Sequence, residues 1–304
     1  MKKILALILS VLTLCLCASC GGTNGGDKEP PKEDENRLLT VEEIMESYSA
    51  GKLKCDKYSL AKYTSPYWTN QVIYNETVCF YAENGAVQEK KLMYKPAKIL
   101  EVRSYGLDKL YAEGSDYVMT AEGIKLSENS TIPHTDFDFF YLDEPLDPNA
   151  AFRAISHPDK YVAYNEFQRF TDKQVCVTYI RTEEYKGPAQ EYSQKLDKFV
   201  QKLENRENVT LLFYGDSIME GCNASGYRNY APKMPKFSDL VSKQLSNVYG
   251  YNGDTEITTY NTAVGGWLSS TGIERWTAKN KGIKPDLFVV NFGCNDGTFS
   301  ASPD

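Results

Sequence analysis

The chain has 304 residues, a formal net charge of −7 and 25% charged side chains. Its isoelectric point is near 5.2, and no basic stripe runs along it, which argues against nucleic acid as a partner. Eight cysteines in 304 residues are far too few for a disulfide scaffold.

The N-terminus reads as an export signal over residues 1–19. Lys2 and Lys3 precede an apolar run at residues 4–17, too short to span a bilayer, and Ala18 and Ser19 then lead to Cys20. A Cys directly after small residues resembles a bacterial lipobox, which implies a lipid on Cys20 as the first residue of the mature chain. The fit is loose, because Cys17 stands three before Cys20 and Leu16 lies one further back. An ordinary secretory signal with a chance Cys is the alternative. Either reading places the protein outside the cytoplasm, and the lipid would be its one tie to the membrane.

Residues 20–37 are mostly Gly, Pro, Lys, Asp and Glu with no large apolar side chain, so they are expected to form a flexible tether. About 265 residues then remain, enough for two domains. Residues 38–187 read as β-rich. Thr40 with Glu43 three residues later is a capping box opening a short helix at residues 39–48. Runs rich in Val, Tyr, Phe and Ile follow at residues 76–82, 91–94, 99–105, 117–120, 161–164 and 175–180, separated by turn residues such as Asn84 and Gly85. That spacing is the pattern of a sandwich or barrel.

The period changes after Gly187. Tyr192, Leu196, Phe199, Val200 and Leu203 share one helical face, so residues 188–204 are expected to be an amphipathic helix beginning a second domain at 188–304. An apolar run at residues 209–214 has the length of a buried strand. It stops at Gly215, Asp216 and Ser217. A polar loop at 222–236 leads to a helix marked by Phe237, Leu240, Val241, Leu245 and Val248, which Gly250 closes. A strand at 256–260 ends in Asn261 to Trp267, with Gly265 and Gly266 adjacent. A helix at 270–280 leads to a strand at 286–292, which ends in Gly293, Cys294, Asn295 and Asp296. Alternation of this kind implies a parallel sheet with right-handed crossovers, its three strand ends on one edge. Ligands of open α/β sheets bind at that edge.

The hydrolase elbow Gly-x-Ser-x-Gly is not met, since Met219 stands at its second Gly. The three clusters instead resemble, in order, the SGNH (GDSL) hydrolases: Gly215-Asp216-Ser217 with Gly221 four residues on, a Gly after the second strand, and Gly293-x-Asn295-Asp296. Spacing from Asn261 favours Gly266 over Gly265. The resemblance covers residues 209–304. It implies a three-layer α/β/α parallel sheet, incomplete here, following a β-rich sandwich-like domain. Ser217 would be the nucleophile, and its own N–H, the N–H of Gly266 and the amide of Asn295 would be the oxyanion donors. Asp216 and Asp296 would brace the loops. No cofactor and no metal are called for. Residues 104–133 resemble the small β-domain preceding the hydrolase in some bacterial secreted esterases, which by itself names no activity. A lipoprotein with an appended β-domain resembles the esterases that deacetylate plant or cell-surface polysaccharides, which implies a carbohydrate O-acetyl ester as the substrate. A lipid or thioester acyl chain is the alternative. A surface carbohydrate-binding lipoprotein without activity is the rival from another class.

Each residue also has a plainer role open to it. Ser217 can serve as a helix N-cap, Gly265-Gly266 and Asn295-Asp296-Gly297 as turns, and Asp216, Asn295 and Asp296 as oxygen ligands to Mg²⁺, without a phosphate-binding partner motif. Cys222 and Cys294 flank two neighbouring motifs, as free thiols or as a disulfide. Trp267 is a wall of the acyl pocket or part of the core. The family's general base is a His with an Asp three residues before it, in a later block. His134 and His157 both lie upstream of Ser217, and the family's sheet has five strands where three are read here. The expectation is therefore an N-terminal part of a longer enzyme.

Overall fold

The computed structural model describes residues 38–83, 85–164, 168–187 and 196–299. Cys20, the tether expected at residues 20–37 and Tyr192 lie outside them. The chain is mixed α/β, with mostly antiparallel sheets before residue 187, one parallel sheet after it, and no closed barrel among the described residues.

Helix α1 (Val41–Ser49) starts where its capping box places it: Glu43 N–H donates to Thr40 Oγ1, and Thr40 N–H donates to Glu43 Oε2 at 2.8 Å. A short helix α2 (Leu60–Tyr63) follows. The strands are β1 (Val72–Glu83), β2 (Ala86–Val87), β3 (Lys90–Lys91), β4 (Pro96–Ser104), β5 (Leu110–Tyr111), β6 (Tyr117–Met119), β7 (Gly123–Leu126) and β8 (His134–Thr135). Helix α3 (Phe137–Phe140), β9 (Tyr141–Leu142), β10 (Tyr161–Val162), α4 (Gln168–Thr171) and β11 (Gln174–Arg181) complete this part.

A six-stranded sheet runs β2-β1-β11-β4-β5, with β8 added in parallel to β1, and β3-β7-β6 form a second, antiparallel sheet. The two sheets share one core. Phe80, Val102, Val175, Val177 and Tyr179 of the larger sheet are buried with Tyr117 and Ile124 of the smaller. The opposite face of the larger sheet is covered by α1, whose Ile44 packs with Leu53, Leu100 and Ile180. Beside it lies a buried ion pair: Arg103 Nε donates to Glu101 Oε2 at 2.6 Å, and the same carboxylate receives the N–H of Cys55 and the hydroxyl of Tyr48. Burial, with Glu101 second, pushes the Tyr48 hydroxyl up to about 12.

The second part holds α5 (Asp197–Glu204), β12 (Val209–Gly215), α6 (Ser217–Glu220), α7 (Phe237–Tyr249), β13 (Ile257–Asn261), α8 (Ser269–Asn280), β14 (Leu287–Asn291) and α9 (Asp296–Phe299). The described helix starts at Asp197, and the earlier part of the expected span, residues 188–195, lies outside the described residues. Strand β12 is central, parallel to both β13 and β14. Period-two alternation sends its side chains to two helical layers. Val209, Leu211 and Phe213 meet Phe199 and Leu203 of α5 and Val241 and Leu245 of α7. Tyr214 turns the other way, onto Trp276 of α8 at 5.3 Å, and its hydroxyl donates to the Gly272 carbonyl.

Strand β14 differs from a fully buried parallel strand. Leu287 and Val289 join the core, whereas Phe288 and Val290, which alternation sends to the opposite face, are 42% and 53% exposed; the strand pairs on one side alone among the described residues.

Candidate active site

Gly215 ends β12 because nothing larger fits: a Cβ there would lie 2.1 Å from the Asn291 carbonyl oxygen and 2.7 Å from Met219 Cβ. The chain can thus turn directly under β14, and Asp216 N–H donates to that carbonyl at 3.2 Å. Asp216 is fully buried. Its Oδ1 accepts the N–H of Ile218 at 2.9 Å and so caps α6, while Oδ2 has no partner among the described residues. The cap on this helix is therefore Asp216, and Ser217 is its first residue. That removes the plainer N-cap role from Ser217 and leaves its half-buried hydroxyl outside any hydrogen bond among the described residues. The α6 turn ends at Gly221, where φ is +78°.

The second cluster is carried to Ser217 by continued pairing past β13. Thr262 N–H donates to the Phe213 carbonyl and Val264 N–H to the Gly215 carbonyl, at 2.9 and 3.0 Å. A Cβ built on the next residue, Gly265, would stand 3.5 Å from Ser217 Cβ. Gly265 N–H is committed to Glu220 Oε2 at 2.6 Å. Gly266, at φ +77°, faces open space, and its N–H has no partner among the described residues.

The third cluster locks onto the second. Asn295 Nδ2 donates to the Trp267 carbonyl at 2.9 Å, and Ser269 N–H donates to Asp296 Oδ1 at 2.8 Å. One Asn295 amide hydrogen is thereby used and a second remains. The three clusters do meet at one edge of the parallel sheet. Of the second cluster, Gly265 is the residue placed against Ser217; Gly266 follows it in the chain, and Asn295 is tied to the same loop through Trp267. Donors at such an edge can accept the charge of a tetrahedral oxyanion.

Glu220 is the residue the sequence reading missed. Besides Gly265 N–H, its carboxylate accepts the hydroxyl of Tyr227 at 3.0 Å. Burial acts to raise its pKa, but the bonds from Gly265, Tyr227 and Cys222 outweigh it and hold the carboxyl below its ordinary value. The signal available was spacing: three residues after Ser217, Glu220 shares its side of the helical turn.

Neither histidine bonds to Ser217. His157 sits between Phe137 and Tyr141, 4.8 and 4.7 Å from their ring centroids, and His134 belongs to β8 beside Phe80. Asp216 and Asp296 each spend an oxygen on a backbone N–H, and the described residues hold no group of three His, Cys, Asp or Glu arranged for a metal. Cys222 and Cys294 do not form a disulfide with each other. Trp267 is half-buried, edge-on to Tyr214 at 6.3 Å. Comparison with protein-family models, curated proteins and solved structures finds no match.

Proposed function

We propose that this chain belongs to a serine ester hydrolase of the SGNH type, with residues 188–304 as the hydrolase part and residues 38–187 as an accessory β-domain. The observation that carries it is the free Ser217 hydroxyl at the carboxyl edge of a parallel sheet, with unengaged N–H groups of Ser217 and Gly266 at the same edge. Ser217 attacks an ester carbonyl, Gly266 and Asn295 help hold the oxyanion, and an acyl-serine forms and is hydrolysed. No cofactor enters this scheme. The proton acceptor comes from outside the described residues, and an Asp-x-x-His block is what the scheme calls for.

The substrate we favour is an O-acetyl group on a carbohydrate. The enzyme would work outside the cytoplasm, held to the membrane through a lipid on Cys20. Acetate release from acetylated xylan and from aryl acetates, by protein produced from its own gene, tests the reading; Ser217→Ala should abolish both. A second reading, a surface-binding protein with an inactive hydrolase part, is favoured by one observation: no described base reaches the Ser217 hydroxyl. Reading the coding sequence past codon 304 for Asp-x-x-His separates the two.

A further inference from the structure

The β-domain and the parallel-sheet part meet over a cavity of about 310 Å³, at the lower end of the about 300–1,000 Å³ that ligand pockets span. One wall is β-domain: Tyr105 and Asp108 from the turn after β4, Tyr111 of β5, and Gln168, Asp172 and Gln174 around α4. The other wall is Tyr230 and Ala231, from the loop that leaves the Ser217 turn. The walls touch where Gly106 faces Ala231, 3.2 Å from the position a Cβ would take.

The lining has a chemical character. Tyr105 and Tyr230 stand 6.3 Å apart at 44°, and burial, with Tyr230 second, pushes the Tyr105 hydroxyl up to about 12, so the Tyr105 ring stays neutral. The Gln168 and Gln174 amides and the Asp172 carboxylate make no side-chain hydrogen bond among the described residues. Asp108 accepts the hydroxyl of Ser104 at 2.6 Å, and that bond holds its carboxyl below the usual range. No Lys or Arg lines the cavity among the described residues. Two lining carboxylates against the single nearby ammonium of Lys109, which stands over the Tyr111 ring at 4.6 Å, disfavour phosphate, sulfate and uronate. Aromatic faces with planar amides and carboxylates suit a ring with apolar faces and an equatorial rim of hydroxyls.

The loop that supplies Tyr230 is also anchored at the candidate active site. Tyr227 donates to Glu220, and Arg228 Nε donates to the Cys222 carbonyl at 2.6 Å. We infer that the cavity between Tyr105 and Tyr230 is a binding site for a neutral sugar residue, an accessory subsite for the glycan whose ester is presented to Ser217. The binding site itself does not depend on catalysis; its link to Ser217 rests on the proposed function.

The test is binding of xylohexaose, cellohexaose and mannohexaose to the full chain carrying Ser217→Ala, followed by isothermal titration, with oligogalacturonate as the anionic control. Saturable binding of one neutral hexaose at about 1 mM or tighter, weakened about tenfold or more by Tyr230→Ala and by Gln174→Ala, is expected. Gln174→Ala guards against misfolding of the Tyr230 loop, and unchanged melting identifies the variants that remain folded. No binding of any neutral hexaose, binding indifferent to both variants, or a preference for oligogalacturonate overturns the inference. Loss of ester hydrolysis in Ser217→Ala with binding intact keeps this outcome separate from that of the hydrolase reading.

Discussion

Glu220 Oε2 accepts the N–H of Gly265 at 2.6 Å, and this one bond decides which glycine of the pair is left to serve Ser217. With Gly265 committed, Gly266 keeps the free N–H. The carboxylate also holds Tyr227, so it ties the Ser217 turn to both neighbouring loops.

Replacing Glu220 should therefore loosen the site before it unfolds the domain. Its folded-state pKa lies below the ordinary value, so its stabilising contribution is present above the unfolded pKa of about 4.3 and is lost as pH falls through the lower folded value. Melting temperatures of the natural chain and Glu220→Gln should differ at pH 7 and converge below about pH 4. A difference that grows on acidification would reverse the sign and refute the assignment.

The glycines should rank by what their side of the turn can hold. Gly215→Ala drives a methyl into the Asn291 carbonyl and should cost about 1–3 kcal/mol, the range of overpacked sites. Gly266→Ala meets no atom, but its φ of +77° should cost about 1–2 kcal/mol. Gly265→Ala, with nearest atoms at 3.4 to 3.6 Å, should be the mildest. Urea unfolding of the three variants checks the order.

In the β-domain, Glu101 is 2% exposed and Arg103 is 9%. Glu101→Ala strands the guanidinium and leaves the Cys55 N–H without its acceptor, at an expected cost of about 3–5 kcal/mol. Urea unfolding followed by tyrosine fluorescence reads this, and a cost under about 1 kcal/mol would mean that the pair behaves as an exposed one.

Residues 20–304 produced alone should turn over p-nitrophenyl acetate no faster than their own Ser217→Ala control. A Ser hydroxyl without a base is a weak nucleophile, and in subtilisin loss of the His costs about 10⁶ in turnover. Turnover well above the control would place a base within these residues, and His134 would be the first to replace.

Much of this was legible beforehand because the relevant signals are local. The Thr40–Glu43 box, the apolar face of α7 closed by Gly250, and the three strands ending in small or polar clusters are each written within a dozen residues. Pairing partners were harder. Strand β1 starts at Val72, ahead of the expected residue 76, because Val72 and Ile73 pair with Ile180 and Tyr179 a hundred residues on. Strand β7 opens on Gly123, a poor strand former kept because a Cβ would lie 2.1 Å from the Lys90 carbonyl. The Ser217, Gly266 and Asn295 trio was visible as motifs, whereas Glu220 and the Tyr105–Tyr230 contact depend on loops whose course no periodicity encodes.

The lipid anchor makes a separate prediction. If Cys20 carries the lipid, Cys20→Ser should move the protein out of the membrane fraction or block its processing, read by fractionation and intact mass. An unchanged membrane fraction would leave an ordinary export signal as the account of residues 1–19.

The central claim is that Ser217 is the nucleophile. Its most direct measurement is fluorophosphonate labelling of protein produced from its own gene, with the modified peptide located by mass spectrometry. Labelling of Ser217 in the natural protein, abolished in Ser217→Ala, is the predicted result. Labelling that survives the substitution, or a natural protein that takes no label, would contradict the account.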